Sequence, residues 1–173
     1  EKRPMTSRDL WAMKRLGAPA LSPDGKTVVF TAQEWSVEKN KSTANLWLVS
    51  TAGGAPRRLT TAEANDSAPA WSPDAKRIAF VSKRGDDETS ALYVIPVDGG
   101  EAEEILEMPF ALASPKWLPD GQHLIVGTSV IAELAGTFEA PLYGQMAVAR
   151  AIADADWGDV PKPTIVQHGQ PED

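Results

Sequence analysis

Apolar and polar positions along this chain fall into strand-length runs separated by turns, and the runs return in the same order. "SPDGKTVVF" from Ser22, "SPDAKRIAF" from Ser72 and a looser "LPDGQHLIV" from Leu118 each place a turn before an apolar strand. A second phrase, "LWLVSTAGG" from Leu46, comes back as "LYVIPVDGG" from Leu92. Both copies close on Gly-Gly, and an apolar residue, Leu59 or Ile105, stands five residues further on. Two linked phrases in one order are an internal repeat, and self-similarity at a fixed period governs every local reading.

Each unit reads as four short strands. The first is "PAW" (Pro69–Trp71) or "PKW" (Pro115–Trp117), and the turn after it is Pro23-Asp24-Gly25, Pro73-Asp74 or Pro119-Asp120-Gly121. Proline presets φ near −65°, aspartate bonds nearby backbone amides, and glycine accepts positive φ. Ala75 stands where the other copies have glycine, and Leu118 replaces the turn serine at the loss of one side-chain hydrogen bond. If the turn needs positive φ, alanine there costs about 1 kcal/mol. The second strand, "TVVF" or "RIAF", is rich in β-branched and aromatic residues. A polar loop follows, "QEWSVEKNKST" (Gln33–Thr43) in unit one and a shorter "KRGDDET" in unit two. The third strand is "NLWLVS" or "ALYVIPV", and the fourth lies around "RRLT" or "AEEIL".

Tandem four-stranded antiparallel units of about 40–50 residues predict an all-β fold, a partial β-propeller of about three blades. A continuous sandwich would not repeat both turns in phase. The predicted organisation is a lead-in segment over 1–19, blades over 20–139 with repeats near 20–62, 69–107 and 114–139, and a less regular extension and tail over 140–173. "APLYGQMAVARAIADADWGD" (Ala140–Asp159) fits either a continuation of the third blade or a helix with Met146, Ala149 and Ile152 on one face.

Composition narrows this picture by exclusion. The chain has 173 residues, 42% of them hydrophobic and 24% charged, as in an ordinary folded domain or a piece of one. A net charge of −7 argues against a nucleic-acid surface, which needs a basic face. With no cysteine, disulfides and thiolate metal sites are excluded. No apolar run reaches the roughly 18–20 residues of a membrane span. The start at Glu1, without an initiator methionine, reads as a processed form or a fragment.

The phrases resemble the WD-like propeller repeat of two groups: the prolyl oligopeptidase family of serine peptidases, especially its acylaminoacyl-peptidase and dipeptidyl-peptidase branches, and the periplasmic propeller protein of the Tol system. "RPMTSRDLWAMKRLGAPALSPDGKTVVFT" (Arg3–Thr31) and "KWLPDGQHLIVGTSVI" (Lys116–Ile131) are similar to bacterial members of the peptidase group. That resemblance implies a non-catalytic propeller that restricts peptide access to a catalytic α/β-hydrolase domain of the same parent chain. The parent would be a serine exo- or oligopeptidase, periplasmic or secreted, or cytoplasmic. The Tol-system likeness implies instead a periplasmic scaffold for protein–protein interaction.

The family's nucleophile sits in G-x-S-x-G. The nearest phrase here, "GTSVI" (Gly127–Ile131), lacks the last glycine and follows a propeller strand. No catalytic residue is therefore assigned, no cofactor or metal is expected, and the chain alone is not expected to hydrolyse anything. Expected partners are the hydrolase domain, a peptide substrate and a second copy joined through an open blade edge; nucleic acid and membrane are not.

Remaining chemistry-bearing residues have structural readings. Trp71 and Trp117 are equivalent by repeat, as are Trp47 and Tyr93, which predicts packing between blades. Trp11 and Trp35 fall outside the repeated phrases and are candidates for peptide contact. Glu103-Glu104 resembles the paired glutamates with which dipeptidyl peptidases hold a substrate amino terminus, yet it follows a Gly-Gly turn at a blade edge, where unit one has Arg57-Arg58. The acidic run Gly85–Glu88 could hold a cation or be a solvated loop, and His123 and His168 lack metal-ligand spacing.

Overall fold

The structure, a computed structural model, describes residues 3–84, 89–107 and 111–128 and the backbone of two further strands, 146–150 and 164–166. Three antiparallel sheets follow one another along the chain. Blade one has β1 (Arg15–Leu16), β2 (Ala20–Leu21), β3 (Thr27–Ser36), β4 (Lys41–Ser50) and β5 (Arg57–Arg58). Blade two has β6 (Ser67–Trp71), β7 (Arg77–Ser82), β8 (Ala91–Pro96) and β9 (Glu103–Glu107). Blade three has β10 (Leu112–Trp117), β11 (His123–Thr128), β12 (Met146–Arg150) and β13 (Thr164–Val166). These sheets are the partial propeller that the repeats predict, and the ring they form is not closed.

Strand alternation builds two buried layers between the blades, because successive side chains point to opposite faces. Val29, Leu46, Leu48 and Leu59 of blade one meet Ile78, Phe80, Ala91, Tyr93 and Ile95 of blade two. The other face of blade two, Ala79, Val81, Leu92 and Val94, meets Leu112, Leu124 and Val126 of blade three. The opposite face of blade one carries Val28, Phe30, Trp47 and Val49, all only half-buried.

One feature differs from the sequence reading, and two add to it. The polar stretch Gln33–Thr43 is not a loop: β3 and β4 pair continuously from Thr27↔Ser50 to Ser36↔Lys41, and only a short turn containing Asn40 at φ 46° is left. Polar side chains suit an outer hairpin whose backbone ladder is complete, so hydrophobicity alone undercounts such strands. The lead-in segment is structured as well. Helix α1 (Ser7–Ala12) opens on a capping box between Thr6 and Asp9, and β1 then joins blade one as Arg15↔Gln33 and Leu16↔Ala32. Gly17 separates β1 from β2 where the chain passes Thr31 so closely that a Cβ would fall 2.1 Å from its Oγ1. Of the two readings of 140–159, the backbone of 146–150 takes the strand. It covers the open edge of β11 from His123↔Arg150 to Gly127↔Met146, and β13 pairs with it in turn, so the third sheet extends past residue 139.

Candidate functional site: the blade turns and blade joints

The repeated turns are built from the same hydrogen bonds. In blade one the Ser22 hydroxyl donates to Asp24 Oδ1 at 2.6 Å and accepts from the Thr27 amide at 2.9 Å, while the Lys26 amide donates to Asp24 Oδ1 at 3.1 Å. Blade two copies this with Ser72, Asp74, Arg77 and Lys76 at 2.6, 2.9 and 3.1 Å. Ser22 and Ser72 are buried, and each hydroxyl has its proton on a carboxylate and a lone pair on an amide. Neither is arranged as a nucleophile, which would need an adjacent base and access to substrate.

Blade three repairs the loss of its turn serine. Leu118 has no hydroxyl, and His123, at the position of Thr27 and Arg77, takes over. Its amide donates to Asp120 Oδ1 at 3.0 Å and its ring Nδ1 pairs with Asp120 Oδ2. The Gln122 amide adds a bond of 2.9 Å. Backbone and histidine hydrogen bonds hold the Asp120 carboxyl down at about 2. Hydrogen bonds from Ser22 and Lys26 lower Asp24, and at Asp74 burial pushes upward but the bonds from Ser72 and Lys76 outweigh it.

A carboxyl depressed on folding contributes stability that is present above its ordinary value near 4 and lost as pH falls through the lowered one. Thermal melts of the chain should therefore show a falling Tm between about pH 4 and pH 2. The Asp120→Asn variant should lose less over that window than the parent; an identical acid slope would contradict the assignment.

Ala75 occupies the left-handed region at φ 58°, beside Gly25 at 72° and Gly121 at 66° in the equivalent turns. Relief of the Cβ strain exceeds the entropy that a glycine adds to the unfolded chain, so Ala75→Gly should raise stability by about 0.5–1 kcal/mol in urea unfolding. No gain, or a loss, would mean that the strain is already absorbed by the blade.

The joints between blades are stapled by indoles. Trp71 Nε1 donates to the Ala20 carbonyl at 3.0 Å, and Trp117 Nε1 donates to the Ala70 carbonyl at 3.1 Å. Ala20 and Ala70 are themselves equivalent by repeat, so each tryptophan reaches back to the same point of the preceding blade. Arg77 lies over the Trp117 ring at 4.8 Å and donates to the Gly121 carbonyl at 2.7 Å. Tyr93 is buried in the first joint against Phe80. Its repeat partner Trp47 is placed differently, on the half-buried outward face of blade one beneath Lys14 Nζ at 5.5 Å.

Repeat comparison does not single out Asp66. Its equivalents by position are Leu16 and Leu112, and an aspartate where other copies carry leucine is the signal that could have found it. Asp66 is buried at the joint of blades one and two. It accepts from the Thr60 hydroxyl and, at 2.7 Å, from the Ser82 hydroxyl, with the Arg84 guanidinium at 3.9 Å. Thr60 Oγ1 accepts the Leu46 amide at 2.9 Å, and Arg58 bridges the Thr60 carbonyl and Asn45 Oδ1 at 2.8 and 2.6 Å. Burial pushes the Asp66 carboxyl up against the lowering pull of Thr60, Ser82 and the two arginines. Beside this network a cleft of about 280 Å³ opens between the blades, lined by Leu59, Thr61, Arg84, Ile95 and Glu101 among others. It holds no nucleophile–base pair.

The other candidates do not converge. Glu103 and Glu104 are neighbours on β9 and so point to opposite faces of the strand, and Glu104 accepts from the Tyr93 hydroxyl at 2.9 Å. Trp11 and Trp35 pack against each other with tilted rings, centroids 5.3 Å apart, where α1 meets the long hairpin. Gly85–Glu88, the end of the Gly127–Ile131 phrase and His168 lie outside the described residues. Among the described residues no three potential ligands gather into a metal-sized cluster, and no helix is long and apolar enough to cross a membrane.

Comparison with known proteins gives this architecture its relatives. The TolB beta propeller domain family matches residues 11–138. The uncharacterized peptidase YuxL of Bacillus subtilis is 32% identical over 129 residues, which is 75% of this chain and 20% of that protein. Dipeptidyl-peptidase 5 of Porphyromonas gingivalis is 41% identical over 81 residues, 47% of this chain and 12% of that protein. The Tol-Pal system protein TolB of Alcanivorax borkumensis is 30% identical over 103 residues, 58% of this chain and 24% of that protein. Among solved structures, the apo AtxE2 isopeptidase aligns with a TM-score of 0.69 at 18% identity, over 95% of this chain and 34% of that one. The acylaminoacyl peptidase of Pyrococcus horikoshii aligns with a TM-score of 0.61 at 16% identity, over 91% of this chain and 26% of that one. The chain thus spans about a fifth of the length of the first curated relative it matches.

Proposed function

From the premise that this chain belongs to the TolB beta propeller domain family, we propose that it is the non-catalytic propeller portion of a serine peptidase, admitting short or unfolded peptides to a hydrolase domain encoded elsewhere in the parent chain. One observation carries this reading. Two of the relatives that match over the blades are named as peptidases, and the matched residues make up only 20% and 12% of their lengths. The repeated residues agree in kind, since Ser22, Asp24, Ser72 and Asp74 are committed to turns and Trp71 and Trp117 to joints.

The reading requires that a fluorophosphonate probe label the native parent protein on a serine outside these 173 residues and leave the isolated chain unlabelled. Labelling of the isolated chain, or a parent that carries no reactive serine, would overturn it. A second reading, a periplasmic scaffold for protein–protein interaction, draws on the match to the Tol-Pal system protein TolB. It predicts a parent whose sequence ends a few blades after Asp173 without a G-x-S-x-G. The peptidase reading places that motif several hundred residues downstream. Both readings accommodate a periplasmic or secreted location, and the peptidase reading a cytoplasmic one as well; fractionation of the native protein decides.

A further inference from the structure

Three Asp-Gly pairs occur in this chain: Asp24-Gly25, Asp98-Gly99 and Asp120-Gly121. Such a pair is prone to backbone rearrangement, because a glycine amide carries no side chain to screen it from the carboxyl beside it. The fold decides which pair is left open to react. In all three the glycine amide closes a turn, on the carbonyls of Ser22, Pro96 and Leu118 at 2.9, 3.1 and 3.0 Å, so the amides do not distinguish them. The carboxylates do. Asp24 Oδ1 accepts from the Ser22 hydroxyl and the Lys26 amide, and Asp120 accepts from the Gln122 and His123 amides and pairs with the His123 ring. Asp98 is exposed, and among the described residues its carboxylate takes no hydrogen bond or ion pair. Nor does the turn call for an aspartate. In blade one the same place is held by Ala52, and the Gly53 amide closes the equivalent turn on the Ser50 carbonyl at 3.0 Å. A Cβ at Gly99 or Gly100 would meet nothing within 4 Å, so the turn has room for a ring to form.

We propose that Asp98-Gly99 is a site of spontaneous isoaspartate formation, and that the product loosens the joint between blades one and two. The Gly99 nitrogen attacks Asp98 Cγ. The N–Cγ bond forms, the Cγ–OH bond breaks, and the amide proton leaves with that hydroxyl as water. Water then opens the cyclic imide at either carbonyl. Opening at Cγ restores aspartate, whereas opening at the Asp98 backbone carbonyl leaves Gly99 attached through Cγ, which is isoaspartate. The hydroxyl departs from a protonated carboxyl, and the hydrogen bonds that keep Asp24 and Asp120 ionised disfavour the step there. Isoaspartate adds one carbon to the backbone directly after Val97, whose carbonyl accepts from Arg57 Nη2 of blade one at 2.6 Å. The turn that holds this carbonyl against blade one then no longer has its native length.

Ageing the native parent protein in warm, mildly acidic heavy-oxygen water, followed by digestion and electron-transfer mass spectrometry, tests the proposal. Isoaspartate carrying one heavy oxygen should accumulate at Asp98 about tenfold faster than at Asp24 or Asp120, as expected where a charge-assisted hydrogen bond has to break first. In denaturant the three sites should converge. The aged protein should melt below the fresh one, while Asp98→Ala, which copies blade one, should melt alike fresh and aged. No heavy oxygen at Asp98, equal rates at the three sites in the folded protein, a preference that persists in denaturant, or a melt whose response to ageing does not depend on Asp98 would overturn it.

Discussion

Phe80→Ala should cost about 3–5 kcal/mol of stability in denaturant unfolding, among the largest losses available to a single substitution in this chain. Phe80 is fully buried on the side of blade two that faces blade one, stacked on Tyr93 with ring centroids 5.8 Å apart, in the cluster that contains Val29, Leu46 and Leu48. Truncation removes apolar area and leaves a cavity shared by two rigid sheets, neither of which can collapse into it alone. The repeat supplies an internal control. Phe30 is the same residue at the same place in blade one and is only half-buried, so Phe30→Ala should cost about 1–2 kcal/mol, in keeping with its smaller buried area. Equal losses at the two positions would refute the assignment of which joint is filled within one chain.

Asp66→Ala should cost about 2–4 kcal/mol, since it strands the Thr60 and Ser82 hydroxyls and the partly buried Arg84 at one stroke. Asp66→Asn keeps the shape and one acceptor oxygen, and removes a charge that burial disfavours, so its cost should be about 1 kcal/mol. The two proteins should also part company with pH. A carboxyl raised on folding contributes stability that is present in acid and lost as pH climbs through its folded value. Asp66 is raised, so the parent should gain on Asp66→Asn as the buffer is taken from pH 7 towards pH 4. Paired melts measure this; a difference independent of pH would mean that the carboxylate feels its arginines more than its burial.

What the sequence discloses follows the strength of each local constraint. The Pro-Asp turns and the strands after them are legible because proline, the Asx hydrogen bonds and positive φ leave few residue choices, and the three copies vary independently around them. Even the exceptions are informative: Ala75 does adopt positive φ. The hairpin of β3 and β4 is concealed because its outer half is held by backbone pairing, which places little demand on side-chain hydrophobicity. Helical and strand periodicity cannot be separated over Met146–Arg150, where alternation and a helical face are both present and the edge of β11 decides. Asp66 escapes because repeat comparison favours what recurs, whereas a joint-specific network occurs once. The role of His123 is equally invisible, since it answers the loss of a serine five residues before it in the sequence.

The tryptophan staples also impose an order in time. Each runs backwards along the chain, from Trp71 to a carbonyl 51 residues earlier and from Trp117 to one 47 residues earlier. A ribosome adding about 5–20 residues per second delivers each indole roughly 2–10 seconds after its acceptor. During that interval the older blade has its hairpins but not its lock. Assembly therefore advances as a ratchet, each newly made blade fastening the one before it, and the youngest blade on the ribosome is always the one exposed to chaperones.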